Sequence, residues 1–133
     1  MSLHRAIKDA GFVHAKALPA AGASNNSATF DLGSGGYVPE TVEVEIVIPA
    51  LPDLVDAKTV IIVVQDSADD SSYATVDPLI QTSVVGAGGV GCAAKTVKYR
   101  LPAGIRRYVQ FNQAVLAAGG SNVAKSITYS LLF

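Results

Sequence analysis

Tryptophan is absent from this chain of 133 residues, cysteine occurs once and histidine twice, and only 16% of the residues are charged. The single Cys92 excludes an internal disulfide framework, so the fold must be held by its core and by subunit contacts. His4 and His14 have no Cys or carboxylate at a recognised metal spacing, which argues against a zinc site. Average soluble domains carry about a quarter charged residues. A chain well below that has much of its surface uncharged or covered, which favours an oligomer. No stretch reaches the length of about 18 apolar residues that a membrane helix needs. Residues 1–18 are interrupted by His4, Arg5, Lys8, Asp9, His14 and Lys16, so they lack a signal-peptide core, and the expected place of synthesis and residence is the cytoplasm.

What is present is apolar residues at half of the chain, with Ala, Val, Ser, Thr and Gly prominent. That mixture suits strands joined by tight turns, and the length suits one domain. Alternation with period two recurs along the chain. In residues 41–49, Val42, Val44, Ile46 and Ile48 fall on one face, with Thr41, Glu43 and Glu45 opposite. Ala28, Phe30 and Leu32 alternate with Ser27, Thr29 and Asp31, and Val97, Tyr99 and Leu101 with Thr96, Lys98 and Arg100. Val109, Phe111 and Val115 oppose Tyr108, Gln110 and Asn112, and Ile127, Tyr129, Leu131 and Phe133 form the apolar face of a last strand. Residues 60–64 are apolar without a break, which predicts a strand covered on both faces, one cover being another subunit.

Turn-forming clusters at residues 33–36, 49–52, 67–72, 86–91, 102–104 and 119–122 separate these segments. Seven or eight strands without intervening helices predict an all-β, single-domain antiparallel β-sandwich or jelly roll of about eight strands. Residues 1–18 read as an N-terminal arm, either tucked against the domain or reaching a neighbouring subunit, and residues 19–133 as the β-domain.

Charge is segregated along the chain. Residues 1–77 hold all 11 acids and four bases, and residues 78–133 hold six bases and no acid, so the parts carry −7 and +6. Either the two parts interleave and neutralise each other, or they make a basic face for an acidic partner. Lys98, Arg100, Arg106 and Arg107 flank the turn at 102–104, and two adjacent strands would bring them together. Paired arginines meet carboxylates at subunit contacts, so these four, with Val60, Ile62 and Val64, are the candidate partner interface. Tyr99 and Tyr108 are available for stacking, but no nucleic-acid motif accompanies them, and direct nucleic-acid binding is not expected.

Chemistry-bearing motifs are few. Gly86, Gly88 and Gly91 match G-x-G-x-x-G, yet a strand pattern follows where a phosphate site needs a helix N-terminus, so they read as a flexible loop and no cofactor is expected. Asp66, Asp69 and Asp70 share one turn with Ser67, Ser71 and Ser72. Clustered carboxylates can hold calcium, but the spacing fits no EF-hand, and Asp and Ser also favour turns for ordinary reasons. Neither a G-x-S-x-G elbow nor a signature around Cys92 supports nucleophilic catalysis, so the expectation is a protein that is not an enzyme.

The run Val63-Val64-Gln65-Asp66-Ser67 leading to Tyr73, the late strand Arg107-Tyr108-Val109-Gln110-Phe111 and the terminal apolar strand resemble the jelly-roll cement or decoration proteins of tailed-bacteriophage capsids. The likeness covers most of the chain from Leu18 onward, and residues 1–18 depart from it. It implies a homotrimer on the capsid exterior, at three-fold or quasi-three-fold positions of an icosahedral shell, bridging major capsid subunits. The alternative is a carbohydrate-binding jelly roll. Sugar platforms favour exposed aromatics, and here Tyr37, Tyr73, Tyr99, Tyr108 and Tyr129 are the only tyrosines.

Overall fold

Val44, Ile46 and Ile48 turn inward from one strand while Val60, Ile62 and Val64 face them from another, and the core forms where these rows meet. The computed structural model describes residues 8–32 and 42–132, and every regular element among them is a strand. In chain order these are β1 (Lys8–Ala17), β2 (Ser24–Asn26), β3 (Phe30–Asp31), β4 (Glu43–Ile48), β5 (Thr59–Ser67), β6 (Ala74–Thr75), β7 (Gln81–Val85), β8 (Lys95–Arg100), β9 (Tyr108–Val115) and β10 (Ser126–Leu132). None of the described residues form a helix long and apolar enough to cross a membrane.

One sheet has the order β1-β10-β4-β8. In the other, β2 and β3 lie along one side of β9, β5 along its other side, and β6 and β7 beyond β5. All pairings are antiparallel. The chain crosses between sheets at every connection except β2 to β3 and β5 through β7. Counting β2 with β3 and β6 with β7 gives the eight-strand, two-sheet arrangement of a jelly roll.

Aromatic packing marks the centre. Phe111 stacks on Tyr129 at 4.3 Å, Phe30 meets Phe111 edge-on at 5.9 Å, and His14 lies 4.5 Å from Phe30. Burial pushes the Tyr129 hydroxyl well above the usual tyrosine range. It donates to Gln113 Oε1 at 2.6 Å, and Gln113 Nε2 donates to the Ala17 carbonyl at 2.8 Å and to Asn25 Oδ1 at 2.9 Å. A fully buried amide is tolerated here because its donors and acceptor are used. Gln113 thereby ties β9 to β10 and β1 across the two sheets. Along the opposite open side, Lys95 Nζ and Tyr99 Oη of β8 donate to the Ser83 and Gln81 carbonyls of β7.

Two sequence expectations change, at residues 27–32 and at Glu45, and two others gain detail. Residues 8–17 belong to the sandwich, since β1 pairs with β10 from Ala17↔Ser126 to Val13↔Ser130 and, past a bulge, at Lys8↔Leu132; residues 1–7 lie outside the described residues. Of the two forms expected for residues 1–18, the described part takes the one tucked against the domain. The alternating stretch 27–32 is a strand only at Phe30–Asp31: Ser27 turns inward, its amide donating to the Phe111 carbonyl and its Oγ accepting from the Phe111 amide, while Ala28 is exposed. Glu45, on the side of β4 away from the core, is nonetheless buried beside Lys98 at 3.9 Å. On β5 the chain itself covers only the inner face, and Ile61 and Val63 remain half-buried on the outer side where a second cover is expected.

Candidate interaction surfaces

The four bases do not form one patch, because β8 and β9 belong to different sheets. Three of them, Lys98, Arg106 and Arg107, pair with an acid from the other part of the chain. The Arg106 guanidinium and backbone amide grip Asp66: Nε and Nη2 reach Oδ1 at 3.0 and 2.8 Å, the amide reaches Oδ2 at 3.0 Å, and Nη2 also reaches the Asp66 carbonyl at 2.7 Å. Arg107 forms a two-point pair with Asp31 at 2.8 and 3.0 Å and lies 4.9 Å over the Tyr108 ring. These carboxylates hold both guanidinium groups more firmly protonated than usual. Lys98 pairs with Glu45, and Arg100 stands opposite Glu43 in the β4–β8 register. Segregation along the chain thus becomes complementarity in space, and Arg106 and Arg107 serve as clamps.

The acidic turn is likewise dispersed. Asp66 faces Arg106, whereas Asp69 accepts from the Ser71 and Ser72 amides at 2.9 and 3.1 Å and from Ser67 Oγ at 2.9 Å. Those donors, the Ser72 amide foremost, hold the Asp69 carboxyl below its usual range. Asp70 accepts from the Tyr73 hydroxyl, and burial together with that bond pushes Tyr73 upward. The three carboxylates therefore serve three different sets of donors, and no group of three or more metal-ligating side chains occurs among the described residues.

Val60, Ile62 and Val64 are fully buried in the core, so they cannot be a contact surface; the strand's even positions point inward. The positions that remain available are Thr59, Ile61, Val63 and Gln65. Registration places Ile61 beside Ala114 and Ser83, Val63 beside Asn112 and Gln81, and Gln65 beside Gln110, with Ser24 and Asn26 flanking β9. Opposed residues share a face, so among the described residues this outer face bears no charged side chain from Thr59/Val85 to Gln65/Gln110. Its amides pair laterally, Gln110 to Gln65 at 2.8 Å and Asn112 to Asn26 at 2.8 Å.

At one end of the sandwich four loops, residues 18–23, 49–58, 86–94 and 116–125, are bonded to one another or to adjoining strand ends. Gly22 N donates to Val115 O, Val55 N to Gly119 O, Ala57 N to Gly86 O and Leu51 N to Cys92 O. The glycine run is not a loose loop. Gly91 is buried at φ +73, and a Cβ there would sit 1.8 Å from the Leu51 carbonyl oxygen; one on Gly86 would sit 2.4 Å from that of Val55. Of the six large apolar side chains exposed among the described residues, five are at this end: Val55, Val85, Val90, Leu116 and Val123. Val90 is 73% exposed. The charged residues here are Asp53, Asp56, Lys58 and Lys125, and Asp56 is engaged by the Gly89 amide. The turn clusters at 49–52, 86–91 and 119–122 are legible in the sequence, and the Ala, Gly and Val content of these loops is the signal for how little charge they carry.

A depression of about 300 Å³ joins this end to the uncharged face, between Gly22, Ser24, Thr59, Ile61, Ala114 and Leu116. Small side chains on both rims leave the space open. The fold and these surfaces together define an antiparallel jelly-roll β-sandwich with an uncharged side and an aliphatic end. A scan against protein-family models matched none, and a search of curated proteins returned no match.

Proposed function

We propose that this chain is a structural, non-catalytic subunit that trimerises and coats the exterior of an icosahedral phage head, bridging major capsid subunits as a cement or decoration protein. The observation that supports it is the aliphatic end. Monomeric proteins rarely expose large contiguous apolar patches, and such patches mark protein contacts. An end built from four mutually bonded loops presents Val55, Val90, Leu116 and Val123 on a braced base, as seating on another protein surface requires. The shell contact is thereby moved from the bases to this end, because Lys98, Arg106 and Arg107 already have acid partners. Three such ends on one trimer bind through effective concentration, so each contact can be modest.

The sugar-binding alternative needs rings open for stacking. Tyr129 is buried, Tyr73 and Tyr99 are engaged by Asp70 and the Gln81 carbonyl, Tyr108 lies under Arg107, and Tyr37 lies outside the described residues. No observation favours that reading over assembly.

Light scattering over a range of concentrations, followed by co-sedimentation with tailed-phage heads assembled without a decoration protein, tests the proposal. A species of about 41 kDa, three chains of 13.7 kDa, that pellets with heads is the expected result. A persistent monomer that stays in the supernatant would overturn it.

A further inference from the structure

We infer that the uncharged outer face of the six-stranded sheet is where one copy of this chain meets another, and that the depression beside Ala114 receives an aliphatic side chain of that copy. This rests on the self-assembling reading above and assigns its subunit contact. Two sheet faces point away from the core, and they differ in charge. On the four-stranded sheet, Glu43 faces Arg100 and Glu45 faces Lys98. On the six-stranded sheet, the rows through Ile61, Val63 and Ala114 carry only aliphatic, hydroxyl and amide groups.

Charge decides which occupant fits. Burying a charged partner against this face would desolvate its charges without a counter-charge, which is strongly unfavourable. An acidic or basic protein and a nucleic acid are therefore poor matches. A neutral glycan would find amides but no stacking ring on the face, since Tyr108 stands at its far margin beneath Arg107. A second copy matches on each count. In a closed three-fold ring this face meets a different patch of the next copy, and having no charge of its own it sets no like charges against that patch. Amides both donate and accept, so the half-buried Gln65 and Asn112 can bond to polar groups of a neighbour.

The depression gives the contact a fixed centre. Its floor and rims, Gly22, Ala114 and Leu116, are small or aliphatic, and its volume of about 300 Å³ exceeds that of a valine or leucine side chain. It opens between the sheet face and the aliphatic end, and in a closed three-fold ring each copy would fill it from a different patch of the next while rotation about the single axis turns all three aliphatic ends the same way. That is the geometry a trimer needs to seat three ends on one shell.

Sedimentation velocity on the full chain tests the assignment with three variants. Ser24→Arg lies on an exposed edge strand and disturbs no core group, Ala114→Arg places a cation at the centre of the face, and Thr96→Arg places one on the outer face of the other sheet. Circular dichroism confirms folding in each. Conversion of Ser24→Arg and Ala114→Arg to the 13.7 kDa species, at a concentration where wild type and Thr96→Arg stay assembled, is expected, with self-affinity weakened at least about 100-fold. If folded Ser24→Arg and Ala114→Arg remain assembled, the assignment of the face is overturned while the assembling reading stands. If wild type itself is monomeric at about 100 µM, both fall. Binding of wild type to a glycan array that Ser24→Arg abolishes would overturn the copy as occupant in favour of a sugar.

Discussion

The two ends of the sandwich spend their side chains differently. At one end Asp66 and Arg106, and Asp31 and Arg107, bind each other, and Asp69 and Asp70 bind neighbours in their own turn. At the other, backbone groups bind one another across four loops while the larger side chains stand in water. Groups already satisfied within the chain have little left to offer a partner, and exposed aliphatics gain by being covered. The ionic end is therefore expected to govern stability, and the aliphatic end assembly.

The sharpest break in that contrast is expected at Gly91, in the aliphatic end but part of its backbone scaffold. Gly91→Ala sets a Cβ against the Leu51 carbonyl at a left-handed backbone angle, so urea unfolding should show a loss of more than about 3 kcal/mol. At the ionic end, Asp66→Ala strands the Arg106 guanidinium and amide. It should cost about 1–3 kcal/mol, toward the lower figure because Arg106 is partly open to water, and leave oligomer mass unchanged. Arg107→Ala should cost less than Asp66→Ala in the same measurement, since both Arg107 and Asp31 are exposed and solvent screens the pair.

A pH series sharpens the comparison further. The folded Asp69 carboxyl is held below the value of about 3.9 expected in the unfolded chain. Its contribution is therefore complete above that pH and is lost as pH falls through the lower folded value. Asp69→Asn, which does not titrate, should lose less stability than wild type between pH 4 and the acid limit. Smallest for stability is Val90→Ser at the aliphatic tip. Unfolding should stay within about 0.5 kcal/mol of wild type while co-sedimentation with heads weakens. Equal losses of stability from Val90→Ser and Asp66→Ala would erase the distinction between the ends.

Legibility followed locality. Val44, Ile46 and Ile48, or Ile127, Tyr129 and Leu131, could be placed on one face from spacing alone, because a strand's side chains alternate whatever it pairs with. Gln113 shares the parity of Val109, Phe111 and Val115, yet polarity hid its inward position; only Tyr129, Ala17 and Asn25 gathering around it make that burial tolerable. The unbroken run 60–64 marked the strand but not what lies over its outer side, since Ile61 and Val63 are apolar without being part of this chain's core.

By itself, then, the sequence determined an antiparallel all-β chain of about eight strands, because alternation and turn chemistry act within a few residues. Tertiary structure alone decided that Arg106 meets Asp66 forty positions earlier, that four separated loops share one aliphatic end, and that β8 and β9 lie in different sheets. Those outcomes depend on which strands pair across long loops, and strand order is set by packing the whole core rather than by any one segment.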